Sequence, residues 1–99
     1  MISAPTNVQL RRVSPTALEV TWDPPSYHIL ITNYRVYYYH VVTLDMSHWR
    51  SVEVGPYTRA DITGLEPHTV YAVKVQAKVN DGRYGNYSEI AYSNILEHG

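Results

Sequence analysis

Ile62-Thr63-Gly64-Leu65-Glu66-Pro67-His68-Thr69-Val70-Tyr71-Ala72-Val73-Lys74-Val75 decides how this chain folds. It closes one β-strand, turns through a Gly/Pro corner and opens a second strand. On that second strand Tyr71, Val73, Val75 and Ala77 alternate with Ala72, Lys74, Gln76 and Lys78. Successive side chains of a strand point to opposite faces, so the first set is expected in a core and the second away from it. Leu65 and Tyr71 flank Glu66-Pro67-His68-Thr69. That spacing lets Leu65 plug the end of a core while the Tyr71 ring folds back over the turn. The pattern matches a tyrosine corner, in which the ring packs inside and its hydroxyl bonds to upstream backbone.

The same reasoning extends outward from this stretch. Upstream, Thr58 to Ile62 directs Ala60 and Ile62 inward, and Thr16 to Trp22 sets Leu18, Val20 and Trp22 against Glu19 and Thr21. Asp23-Pro24-Pro25 ends that strand, because neither proline can donate to a ladder and each restricts the residue before it. Ala4 to Val13 forms a first strand with Val8 and Leu10 on one face; Pro5 suits an exposed edge, and Pro15 breaks the run. A loop from Ser26 to Ile31 leads into Thr32 to Tyr39. His40 to His48 is a long connection, Trp49 to Val54 a short strand with Val52 and Val54 inward, and Gly55-Pro56 its stop. Val79 to Asn86 holds Asn80-Asp81-Gly82 and Gly85 in a turn-forming loop, and Tyr87 to Ile95 is the last strand. Seven short strands with no helical period argue an antiparallel sandwich.

Together with the corner, Leu18-Glu19-Val20-Thr21-Trp22-Asp23-Pro24-Pro25 closely resembles the second-strand signature of fibronectin type III domains. Immunoglobulin domains carry their core tryptophan on the third strand between two cysteines; here Trp22 is on the second and cysteine is absent. The resemblance covers residues 4–95 and implies an all-β, seven-stranded antiparallel immunoglobulin-like β-sandwich with sheets A-B-E and C′-C-F-G. It implies a structural core of Trp22, Tyr34, Val36, Leu65, Tyr71 and Val73, with Tyr38 also inside and Tyr71 meeting Trp22 from the opposite layer. Arg35, Tyr37 and Tyr39 then face away from the core.

Ninety-nine residues with 44% apolar content make one domain, near the smallest size at which a core holds without staples. Without cysteine there is no disulfide framework, thiolate metal cage or cysteine nucleophile. Eight Lys/Arg against nine Asp/Glu give a formal charge of −1, so no global field favours nucleic acid. The chain has no 18-residue apolar run and no signal peptide. Met1 and Leu96-Glu97-His98-Gly99 read as start codon and cloning remnant, so residues 1–3 and 96–99 are taken as termini of an excised domain.

An enzyme needs a nucleophile, an acid/base pair or a metal gathered in one pocket. No His-Glu-x-x-His, Gly-x-Ser-x-Gly or Gly-x-x-x-x-Gly-Lys pattern is present. His40, Asp45 and His48 share one loop, but a stable metal site needs three or four ligands with outer support. The expectation is a solvated loop, no metal, no cofactor and no catalysis; His68, in its turn, is expected to be exposed.

Two binding surfaces are expected instead. On the outer face of sheet C′-C-F-G, the resemblance places Arg35, Tyr37, Tyr39, Trp49, Lys74, Gln76 and Lys78 together. Aromatics beside Arg and Lys suit a protein interface, although the same residues can cover a sheet by cation–π contact and snorkelling. At one pole, Tyr27, His28, Ile29 and Leu30 of the BC loop lie beside Arg83 and Tyr84 of the FG loop. Asp81-Gly82-Arg83 reverses the Arg-Gly-Asp tripeptide that some members of the family carry in this loop, so integrin binding is not carried over. Asn86-Tyr87-Ser88 is an N-glycosylation acceptor sequence, and a glycan on Asn86 is expected to shield the FG end. Arg35, Lys74, Lys78 and Arg83 raise heparan sulfate as an alternative ligand.

The resemblance implies a non-catalytic interaction or spacer module from the extracellular, glycosylated part of a multidomain receptor or adhesion protein, with a membrane-anchored parent. Its expected partners are a protein ligand or neighbouring domains of the same chain. The alternatives are a repeat of an intracellular muscle-type array and an engineered binding scaffold.

Overall fold

A computed structural model describes residues 2–26, 30–41 and 49–93. Its strands are β1 (Thr6–Ser14), β2 (Ala17–Asp23), β3 (Ile31–His40), β4 (Arg50–Val54), β5 (Arg59–Ile62), β6 (Tyr71–Val79) and β7 (Ala91–Tyr92). They form two antiparallel sheets, β1-β2-β5 and β4-β3-β6-β7, which is the A-B-E and C′-C-F-G order. The core lies between them. Leu18, Val20 and Trp22 of β2 and Ala60 and Ile62 of β5 close over Tyr34 and Val36 of β3 and Tyr71, Val73, Val75 and Ala77 of β6. Leu18, Val20, Val36, Val73 and Val75 are completely buried, each favouring the fold by about 1.5–3 kcal/mol relative to exposure.

The corner forms as its residues require. The Glu66 amide donates to the Tyr71 hydroxyl oxygen at 2.9 Å, and the Thr69 hydroxyl donates to the Glu66 carbonyl at 2.6 Å. Gly64 turns the chain at φ 71°, a left-handed conformation that a side chain would strain. Leu65 is buried beneath this turn, and its amide donates to the Thr16 carbonyl at 2.9 Å. Arg12 adds a tie that its sequence position did not advertise: its guanidinium donates to the carbonyls of Pro15 and Thr69, each at 2.8 Å. The β1–β2 turn and the corner are thereby pinned to one side chain.

The coordinates correct four expectations. Trp22 packs edge-on against Tyr34, with ring centroids 5.2 Å apart, whereas Tyr71 stacks on His40 at 5.3 Å and leans on Tyr38 at 6.5 Å. His40 stands opposite Tyr71 at the far end of β3 from Tyr34. Trp22 and Tyr71 therefore belong to one core but seal its two ends, because β3 is long enough to separate them. Tyr38 faces inward yet is only half-buried, lying under the Arg50 guanidinium at the open end of the sandwich. Pro5 is fully buried rather than at an exposed edge; it precedes β1 and lies in a groove with Tyr87, Ser88, Glu89, Ile90 and Ala91.

The fourth correction concerns the last strand, whose regular part is only Ala91–Tyr92 among the described residues. The Gly85 amide donates to the Ala77 carbonyl, the Ser88 amide donates to the Val75 carbonyl, and Ala91 stands opposite Val73. Each advance of two residues along β6 therefore takes three along the partner, which describes two successive bulges. Serine hydroxyls complete the ladder where backbone carbonyls fall out of step. Ser88 Oγ accepts from the Val75 amide and Ser93 Oγ from the Tyr71 amide, both at 2.9 Å. Bulges of this kind also deny a free edge to passing strands.

Candidate functional site

The register of β4, β3, β6 and β7 builds the outer face of their sheet row by row. Tyr39 is opposite Ala72, which is opposite Tyr92; Tyr37 is opposite Lys74; Arg35 is opposite Gln76 and, on the other side, Glu53; Asn33 is opposite Lys78, which bridges to Tyr84. Arg35, Tyr37, Tyr39, Trp49, Lys74, Gln76 and Lys78 thus share one face.

Lys74 stands at its centre. Its ammonium lies 3.9 Å from the Tyr87 ring centroid, 4.5 Å from that of Trp49 and 5.8 Å from that of Tyr37. Three electron-rich faces around one cation form an aromatic cage whose occupant is the protein's own side chain. Tyr37 and Tyr87 meet edge-on at 5.4 Å, and Trp49 lies against Tyr39 at 5.3 Å. Trp49 thereby covers Tyr39, which is only 6% exposed despite pointing away from the core. Ala72 and Gln76, also on the outward side of β6, are buried as well. The Tyr37 hydroxyl donates to the Gln76 side-chain oxygen at 3.0 Å, and the Gln76 amide donates to the Gly85 carbonyl at 3.1 Å. Burial holds the Tyr87 hydroxyl above the usual phenol range, with Tyr37 acting in the same direction.

A polar row borders the cage. Arg35 pairs with Glu53 at 2.9 Å, Lys78 reaches Glu53 at 3.9 Å, and the Asn33 side-chain amide donates to Glu53 at 2.7 Å. The Arg35 guanidinium lowers the pKa of the Glu53 carboxyl, and Glu53 in turn raises that of Arg35. Both Arg35 and Lys78 also lie over Tyr84, at 5.2 and 5.5 Å. Tyr84 was expected at the loop pole; the bridge to Lys78 draws it onto the sheet face instead.

Lys74→Met keeps the aliphatic stem and removes the caged charge. The substitution is expected to cost about 0.5–2 kcal/mol, measured as a lower urea midpoint at unchanged m. A midpoint equal to wild type would show that the three rings do not hold the ammonium in solution.

The loop pole is less developed. Tyr27, His28 and Ile29 lie outside the described residues, as do Asp45 and His48 of the loop considered for a metal. Leu30 is 62% exposed at φ 58°. Arg83 is folded onto Asp81, with the guanidinium 2.8 Å and the amide 3.0 Å from its carboxylate oxygens. The Arg83 amide, then its guanidinium, hold the Asp81 carboxyl below its ordinary range. Among the described residues no group of three His, Asp or Glu is placed to hold a metal ion.

Sequence reasoning missed Glu53, Tyr87 and Tyr92 on the sheet face. Tyr87 and Tyr92 are an odd number of residues apart, which strict alternation assigns to opposite faces; a bulge between them brings both outward. Glu53 had a usable signal, since Glu53 alternates with inward Val52 and Val54 on a strand next to Arg35.

These features define an immunoglobulin-like β-sandwich module whose outer sheet face is laid with aromatics and cations. The fibronectin type III domain model matches residues 3–94, and the chain belongs to that family. It is 36% identical to tyrosine-protein phosphatase Lar of Drosophila melanogaster over 83 residues, covering 83% of this chain and 4% of that protein. It is 35% identical to protein sidekick-1 of Mus musculus, covering 75% of this chain and 4% of that protein. The crystal structure of the FN5 domain of Drosophila Lar superposes with a TM-score of 0.77 at 24% identity, covering 94% and 95% of the two chains. A crystal structure of titin domains superposes with a TM-score of 0.81 at 25% identity, covering 97% of this chain and 32% of that one. The chain is therefore similar to parts of tyrosine-protein phosphatases, some of them receptor-type, and of sidekick-1, and also to a domain of titin.

Proposed function

We propose that this domain is a non-catalytic protein-interaction module in the extracellular part of a multidomain receptor or adhesion protein, and that it contacts its partner through the outer face of β4-β3-β6-β7. The observation that carries this reading is the pairing of a preordered interior with an exposed rim. Lys74, Trp49 and Tyr37 are locked together, while Tyr87 and Tyr92 remain 47% and 61% exposed beside them. Rigid aromatics next to cations lose little freedom on binding and are favoured at the centres of protein interfaces. The similarity to receptor phosphatases and sidekick-1 supports the extracellular setting.

The heparan sulfate reading draws less support. Of its four cations, Arg35 and Lys78 share Glu53 and Arg83 is bound to Asp81, so three already contact a carboxylate and two of the four positive charges are balanced. A polyanion would have to compete with those carboxylates for the same cations.

A bivalent Fc fusion of the domain, applied to unpermeabilised cells with and without heparinase treatment, tests both readings. Binding that survives heparinase and is lost in Tyr87→Ser/Tyr92→Ser is the expected result. Equal binding by wild type and variant removes the sheet face from the proposal; loss after heparinase turns the assignment to the polysaccharide. No binding by the wild type leaves a spacer.

A further inference from the structure

Asn86-Tyr87-Ser88 lies where the loop after β6 joins the bulged last strand, outside any regular strand. Asn86 is exposed, whereas Ser88 is buried, with 6% of its surface accessible. The Ser88 hydroxyl is engaged both as acceptor and as donor: it accepts from the Val75 amide and donates its one proton to the Glu89 carbonyl, both at 2.9 Å. The backbone on either side is tied as well, by Ser88 amide to Val75 carbonyl at 2.8 Å and Asn86 amide to Ile2 carbonyl at 3.2 Å.

We infer that Asn86 is an N-glycosylation site that is filled only before the last strand docks onto β6. The acceptor triplet is defined by its serine as well as its asparagine, so an enzyme that reads it has to reach Ser88, which is accessible only while the last strand is unpaired. The unfolded chain offers that hydroxyl; the folded one has spent it on the sheet. In the transfer, the Asn86 carboxamide nitrogen bonds to C1 of the reducing-end N-acetylglucosamine of a polyisoprenyl diphosphate oligosaccharide. The C1–O bond to the diphosphate breaks, its electron pair leaves with the polyisoprenyl diphosphate, and the amide nitrogen gives up one proton. Once the strand has closed, Asn86 remains at the exposed surface.

The position of the modification also differs from the sequence expectation. Tyr84 and Tyr87, on either side of Asn86, belong to the cation–aromatic sheet face through Arg35, Lys78 and Lys74. A glycan on Asn86 therefore borders that face as well as the FG end.

This inference rests on the extracellular reading, since the co-reactant is found in the secretory pathway. The test uses the full chain secreted from mammalian cells behind a leader, with a second acceptor triplet appended to its tail as a control. Intact mass is expected to show two glycans, both released by an amidase that converts the modified asparagine to aspartate, and one glycan in Asn86→Gln. A secreted, folded chain bearing a glycan on the tail alone overturns the site. In a second arm, chain folded after bacterial expression and a peptide spanning residues 82–92 are incubated with purified oligosaccharyltransferase and lipid-linked donor. The peptide is expected to be modified and the folded chain not; equal modification overturns the ordering. Surface staining of intact cells for the parent protein separately checks the extracellular reading, so that its failure is told apart from failure of the acceptor triplet.

Discussion

Trp22→Ala is expected to lower the free energy of unfolding by about 3–5 kcal/mol. The indole is 3% exposed and seated edge-on against Tyr34, at the end of the core where Asp23-Pro24-Pro25 leaves the sheet. Truncation removes the burial of the ring and leaves a cavity between two sheets whose backbones are held by their own ladders, so collapse around the gap is limited. A domain of this size has about 5–15 kcal/mol in total, so the variant is expected to be poorly folded near body temperature. Urea unfolding followed by far-ultraviolet circular dichroism reads the loss directly. A cost below about 1 kcal/mol would mean that the Trp22–Tyr34 contact does not organise this end of the core.

The second large effect is expected at the last strand. Ser88→Ala and Ser93→Ala each leave a buried β6 amide, of Val75 and Tyr71 respectively, without its acceptor. Each orphaned donor costs about 1–3 kcal/mol, and because the two hydroxyls serve separate amides the double variant is expected to lose about 2–6 kcal/mol. Ser51→Ala, an exposed position on β4, is the control and is expected to stay within about 0.5 kcal/mol. Native-state amide exchange gives the mechanism: protection at Val75 and Tyr71 is expected to fall first and most. If both amides stay as protected as their neighbours, the hydroxyls are not the groups that hold the strand.

These two results bear on function because the affected elements carry the sheet face. Tyr87 and Tyr92 reach it only through the bulged attachment that Ser88 and Ser93 secure. The Lys74 cage likewise needs Tyr87 on the outward side. A strand that slipped by one residue would reverse its side chains and empty one wall of the cage.

Much of the architecture was legible because alternation is a local property. Leu18, Val20 and Trp22 announce an inward face within a few residues, and Leu65 with Tyr71 announces a corner within a few more. The same rule placed Arg35, Tyr37, Lys74 and Lys78 on one outer face. It gave no warning that Tyr39 and Gln76 are buried on that face; facing away from a core does not prevent a neighbouring ring from covering a side chain, as Trp49 covers Tyr39. Tyr84 was placed at the pole by its loop position, whereas its bridge to Lys78 continues the sheet; Tyr87 and Tyr92 were left unassigned, because one extra residue in a bulge changes the parity of everything after it.

The chain's own pattern of apolar and polar residues determined the class of fold, the tyrosine corner and the set of strands, since each depends on side chains and turns a few positions apart. Which rings enclose Lys74, which carboxylate Arg35 and Lys78 share, and which end of the core Trp22 and Tyr71 each close were decided only in the assembled sandwich. Those contacts join residues distant in sequence across strands whose register drifts, and register is settled by the packing of two whole sheets against one another.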